Sequence, residues 1–187
     1  MKKTITLLLL SFVTFTLLGQ NNTYTAEKNQ DLTWKGKAAL GSYAPEGTLT
    51  ISSASIACDM NDITSLEITV DMKSLYQENQ QLMNHLKEED FFYVKKYPKA
   101  TFILIEASKI EDGKVRLEGE MTIRGITKKE IIDATLTEIE NGVELQFSKK
   151  FNRTDYGVNH NSPSIFKRLK ENAIDDFFNL KGQIVFK

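Results

Sequence analysis

The side chains of this sequence that could do chemistry are few, and Arg153 and Asp155 come first. They stand two apart in Asn152-Arg153-Thr154-Asp155-Tyr156-Gly157-Val158, after Phe147, Lys149 and Phe151 on the same alternating face. If that face points inward, Arg153 sets a guanidinium at the end of an apolar tunnel, where it suits a phosphate, a carboxylate or a quinone oxygen. The competing reading is an Arg153–Asp155 pair that locks a strand-to-loop corner at Gly157, since glycine in such a motif marks backbone geometry. His85 could hydrogen-bond a ligand's polar end, or cap a helix or bond a backbone carbonyl. Phe91 and Phe92 could close a tunnel over an apolar guest or staple an insertion to the wall. Arg124-Gly125 with Lys128-Lys129 reads as a small anion site or as a solvated hairpin turn.

Other chemistry is disfavoured by what the chain lacks. No Asp/Glu pair sits in a context for general acid and base roles, and no serine has a G-x-S-x-G setting. The two histidines, His85 and His160, lie far apart in sequence, which argues against a His-rich metal centre. A single cysteine excludes an intrachain disulfide, a Cys-based zinc site and a CxxC pair. Following Ile56 and Ala57, Cys58 reads as a small buried hydrophobe. The expectation is a protein that is not an enzyme and needs no cofactor. With 24 basic and 25 acidic residues in 187, no cationic excess exists to neutralise nucleic-acid phosphates.

These residues must be positioned by strands. Leu66, Ile68, Val70 and Met72 alternate with polar residues, as do Val115, Leu117, Gly119, Met121 and Ile123, and then Val143, Leu145 and Phe147. A period of two places each apolar set on one sheet face, the pattern of antiparallel strands with one wet side. Eight strands are expected, centred on Trp34, Leu49, Ile68, Ile103, Leu117, Ile132, Leu145 and Val185. Turn signals separate them at Asp112-Gly113 and Asn141-Gly142. Helical insertions are expected over about 78–92 and 165–170. Thr101–Ile105 is apolar on both faces, so the first insertion is expected to cover its outer side. Eight such strands suffice to close a small barrel, giving an all-β fold with short helical insertions.

Residues 1–20 read as an address rather than as structure. Lys2 and Lys3 precede the uncharged run Ile5–Leu18, and small and polar residues follow at Gly19-Gln20-Asn21. That order describes a secretory signal peptide cleaved near Gly19 or Gln20. The run falls short of the roughly 20 residues that span a bilayer, and no cysteine follows it, so no stable membrane anchor is expected. Residues 21–187 then form one domain in the periplasm or outside the cell.

Three segments are more specific than composition. They are His85-Leu86 through Asp90-Phe91-Phe92, Tyr97-Pro98 and Thr101-Phe102; Gly119-Glu120-Met121-Thr122-Ile123-Arg124-Gly125-Ile126-Thr127-Lys128; and Arg153-Thr154-Asp155-Tyr156-Gly157. In order and spacing they resemble the signatures of the YceI-like family across nearly the whole mature chain. Two departures stand out: no histidine occurs near Gly41–Gly47, and Asn152 replaces the usual Asp before the arginine. The resemblance implies a lipocalin-like barrel holding an isoprenoid lipid or quinone-like amphiphile, and it admits a homodimer. The candidate contacts are then Phe102, Leu117, Leu145, Phe147 and Phe151, with His85, Phe91, Arg153 and Asp155 towards the ends. Burying one five-carbon unit is worth about 4 kcal/mol at roughly 0.8 per CH₂, so a few units suffice for tight capture. An enzyme acting on an isoprenoid quinone or diphosphate, and a fully packed stress-related interaction protein, are the alternatives.

Overall fold

The computed structural model describes residues 22–168 and 172–187, so the expected signal segment lies outside the described residues. Ten strands run in chain order: β1 (Asn22–Thr25), β2 (Asp31–Lys35), β3 (Glu46–Cys58), β4 (Asp62–Tyr76), β5 (Lys99–Leu104), β6 (Ser108–Glu111), β7 (Lys114–Ile123), β8 (Ile126–Ile139), β9 (Gly142–Asn152) and β10 (Phe177–Phe186). Each successive stave pairs antiparallel with the next, and the β10–β2 ladder, Leu180 opposite Trp34, closes the ring. The result is the expected eight-stranded antiparallel barrel. All eight expected centres fall inside its staves.

The two additional strands are pieces of interrupted staves. Strand β6 continues β5 between β4 and β7 after a break at residues 105–107. Strand β1 likewise continues the β2 stave along β3, and an Ala26–Phe186 bridge ties the break to β10. At four residues each, β1 and β6 are too short to show a period.

Alternation in the sequence becomes alternation in burial, cleanly so in β2 and β7. The hairpin turns use left-handed backbone at Asp112-Gly113 and Arg124-Gly125, the geometry that matches strand twist. Phe102 points inward and lies across Gly119, where an added Cβ would come 2.3 Å from the ring. That close approach explains the glycine inside an otherwise apolar stripe.

The long connections gather at one end of the barrel: 36–45, 77–98 and the described parts of 153–176, with the Arg124-Gly125 turn beside them. Short turns close the other end. The long connections therefore form a cap. Among the described residues it contains one α-helix, α1 (Gln80–Lys87), started by Asn79, whose side chain accepts hydrogen bonds from the backbone of Gln81 and Leu82.

The structure corrects three expectations here. Helix α1 stops at Lys87 instead of reaching 92, because Glu88, Glu89 and Asp90 would set negative charge at a helix C-terminus. From 165 to 168 the chain forms turns and no helix; 169 and 170 lie outside the described residues. The outer side of β5 is not covered by the insertion: Ile103 is 46% and Ile105 45% exposed. Leu82, Leu86, Phe91 and Phe92 turn over the barrel's open end instead, where they bury against inward-facing side chains.

Candidate ligand-binding site

Inside the capped end lies a cavity of about 200 Å³ with an almost wholly apolar lining. Its deep end is made by Leu66, Leu117 and Leu145, each essentially fully buried. Phe102 and Phe147 line its flanks and Phe91 and Phe92 its roof, while exposed Lys37, Tyr43 and Phe177 stand at its rim. Of the sequence-derived candidates, Phe91, Phe102, Leu117, Leu145, Phe147 and Arg153 border this space. His85, Phe151 and Asp155 do not. Phe151 sits one layer back, stacked on Phe178 with ring centroids 5.5 Å apart, and Phe178 reaches the cavity.

Trp34 and Phe178 line the cavity although neither was among the site candidates read from the sequence. Trp34 is the inward residue of the β2 alternation Leu32-Thr33-Trp34, which was the available signal. Its indole N–H is buried and has no hydrogen-bond partner, a polar donor among hydrocarbon.

Arg153 is not paired with Asp155. Strand β9 ends at Asn152, and Arg153–Tyr156 forms a single 3-10 turn, so the alternation lapses and Asp155 faces solvent. The Asn152 side chain starts that turn by accepting from the Thr154 amide, and Gly157 ends it in left-handed backbone. Buried Arg153 donates to three carbonyls, Nη1 to Val158 at 2.7 Å, Nη2 to Ile174 at 2.9 Å and Nε to Asp175 at 3.0 Å. Its ionic partner is Asp176, at 3.6 Å. Burial pulls the guanidinium pKa down against the pull of Asp176 and Asp175, yet an arginine stays charged in proteins.

A second bracket holds the rest of the cap. Arg124 donates to the carbonyl of Gly157 and, at 2.7 Å, to that of Glu89. It is therefore a tie between connections and not an anion site. The Tyr97 ring packs on Gly125, where a Cβ would come within 2.7 Å of it. Below the cap, β8 and β9 cease to pair above Ala134–Phe147. Fully buried Tyr156 donates to Glu130 at 2.9 Å there, and Lys149 reaches the same carboxylate at 3.1 Å. Burial first, and then Glu130, push the Tyr156 phenol far up and keep it neutral.

The two histidines, remote in sequence, meet in space. His85 Nε2 and His160 Nδ1 lie 2.7 and 2.8 Å from the same Asp90 oxygen, and their rings stand 4.7 Å apart. Sequence separation was thus a poor guide to whether they share a site. Burial, outweighing the attraction of Asp90, pulls the His160 imidazole down towards its neutral form. Cys58 is buried, and burial together with Asp59 pushes its thiol up to about 11, as suits an inert hydrophobe.

The three sequence signatures thus converge: Arg124 of the second bonds the first at Glu89 and the third at Gly157. A family model for the YceI-like domain matches residues 23–186. The chain belongs to the YceI-like family. In this YceI-like protein the signatures build chiefly the cap, while the cavity wall comes mostly from strands outside them.

Among relatives, a UPF0312 protein of Staphylococcus epidermidis is 30% identical over 125 residues, covering 62% of this chain and 70% of its own. A Campylobacter jejuni YceI protein of known structure is 27% identical with a TM-score of 0.55, the match covering 66% of this chain and 71% of that one. The fold is shared more completely with BcnA of Burkholderia cenocepacia, at TM-score 0.64 and 15% identity over 83% of this chain and 95% of that one. It is shared equally with a Saccharophagus degradans domain described as polyisoprenoid-binding, at TM-score 0.64 and 9% identity over 88% of this chain and 97% of that one.

Proposed function

We propose that this YceI-like protein is a non-enzymatic carrier that holds an isoprenoid or similar amphiphile, its tail in the barrel and its polar end at the rim. The cavity carries this reading. Left vacant, about 200 Å³ of apolar space would cost about 5 kcal/mol at roughly 24 cal/mol per Å³. That is a large share of the 5–15 kcal/mol that holds a domain together. A hydrocarbon occupant removes the cost. The volume is below the roughly 300–1,000 Å³ usual for drug-sized ligands, which suits a narrow chain better than a fused ring system. The Saccharophagus relative's description as polyisoprenoid-binding supports the same class of guest.

The charge–apolar–small order of residues 1–20 supports export, with the carrier working in the periplasm or medium. A prenyl chain must be kept out of water there, and a capped barrel does so without catalysis. The cavity tells against a fully packed interaction protein.

Trp34 is the chain's one tryptophan and lines the cavity, so it reports on occupancy. Titrating prenyl alcohols of increasing length into delipidated protein should shift its emission saturably, one molecule per chain. Flat emission at every chain length, with no binding by calorimetry, would contradict the reading.

A further inference from the structure

We propose that His85, Asp90 and His160 form a binding site for a divalent transition metal of the zinc class, on the cap and distinct from the cavity. Two imidazole nitrogens and a carboxylate oxygen lie within 4.8 Å of one another. Such a mixed donor set suits zinc-like ions, whereas magnesium and calcium prefer oxygen alone. Three protein ligands leave a fourth tetrahedral position for water. The surroundings fit an entry path, because the side chains of His85, Asp90 and His160 are 43%, 44% and 26% exposed.

The adjustment needed is small. Bonds of about 2.0–2.1 Å to a tetrahedral ion put its ligand atoms roughly 3.3 Å apart. The Asp90 oxygen now sits 2.7 and 2.8 Å from the two nitrogens, so it must retreat by about half an ångström, and the two nitrogens, which with it lie within 4.8 Å of one another, must settle to that spacing. The Asp90 oxygen already directs both rings towards one point.

The position gives the metal a task. His85 and Asp90 belong to the connection between β4 and β5, and His160 belongs to the one between β9 and β10. A shared ion would cross-link the two connections where Arg124 ties them only by hydrogen bonds. Phe91 packs against both imidazoles, at 5.0 Å from each, and its ring lines the cavity roof. Metal binding would therefore stiffen the roof over a guest, a consequence that rests on the carrier reading; the site itself does not.

The test uses chelator-treated, delipidated protein and Zn²⁺ alone, followed by calorimetry and thermal melts. One saturable site per chain is expected, with a rise in melting temperature on adding Zn²⁺. Asp90→Asn and His160→Gln should each weaken binding at least tenfold and abolish that rise. Circular dichroism of the metal-free variants checks that the barrel is intact; should one fail to fold, the other decides. Zn²⁺ binding of equal strength in both variants, or no saturable binding in the wild type, would overturn the site. Neither result depends on whether a lipid binds. A wild-type chain that binds Zn²⁺ but no prenyl alcohol would leave the metal site standing and remove the carrier reading.

Discussion

Arg153 Nη2 lies 3.6 Å from Asp176 Oδ1, and both residues are buried where β9 gives way to the cap and β10 begins. The arginine's neighbour in sequence, Asp155, takes no part. A corner of the barrel is locked by charge, but across the chain, with Asp176 arriving from the far end of a long connection. The guanidinium spends its donors on the Val158, Ile174 and Asp175 carbonyls, which leaves it better placed to hold the cap than to read a head group.

Arg153→Met should accordingly destabilise the fold by about 3–5 kcal/mol, since it strands a buried carboxylate. Affinity for a prenyl phosphate and for the matching alcohol should fall alike. Chemical denaturation and paired ligand titrations measure both effects. A selective loss of the phosphate, tenfold or more with an unchanged melting temperature, would instead make Arg153 a head-group contact.

Acid should weaken the same corner. Burial pushes the Asp176 carboxyl up, but the Ser162 and Ser164 hydroxyls and then the Arg153 charge lower it by more, so its pKa is depressed in the folded protein. Its stabilising contribution is full above the unfolded carboxylate value of about 3.9 and is lost as pH falls through the lower folded value. Asp176→Asn has no proton to take up. Urea unfolding of this variant should show a shallower loss of stability below about pH 4 than the wild type; identical slopes would count against the pair.

Phe147 offers a test of the cavity wall. Its ring lies across Gly182 of β10, where an added Cβ would come 2.4 Å away, and it borders the apolar space. Phe147→Trp should reduce retained lipid while the delipidated barrel melts near the wild-type temperature. A solid core would instead be overpacked at a cost of about 1–3 kcal/mol. Unchanged lipid content with a lowered melting temperature would argue that no cavity exists there.

The barrel was legible because burial enforces a period of two, and the staves β4, β7 and β9 carry that period over many residues. Short β1 and β6 carried no such signal. The cap was read poorly for a physical reason: its contacts join residues remote in sequence through side chain to backbone bonds, as Arg124 does with Glu89 and Gly157. Arg153 bonds across a corner, and its ionic partner, Asp176, could not be found by looking two residues along. His85 and His160 show the same blindness. The apolar lining was the most readable part of the site, because inward-facing Leu117, Leu145 and Phe147 declare themselves by parity alone.

Export makes a direct prediction. The mature chain should begin near Gln20 and be recovered in the periplasm or medium. N-terminal sequencing of the extracytoplasmic protein checks it, and recovery of Met1 would contradict it.

Native mass spectrometry of the gently purified protein reads directly whether the barrel holds an amphiphile with a hydrocarbon tail. A population heavier than the bare chain by the mass of one lipid is expected, its extra mass released on denaturation and identifiable by fragmentation as an isoprenoid or similar chain. A single peak at the bare mass that stays unshifted after incubation with prenyl lipids would contradict it.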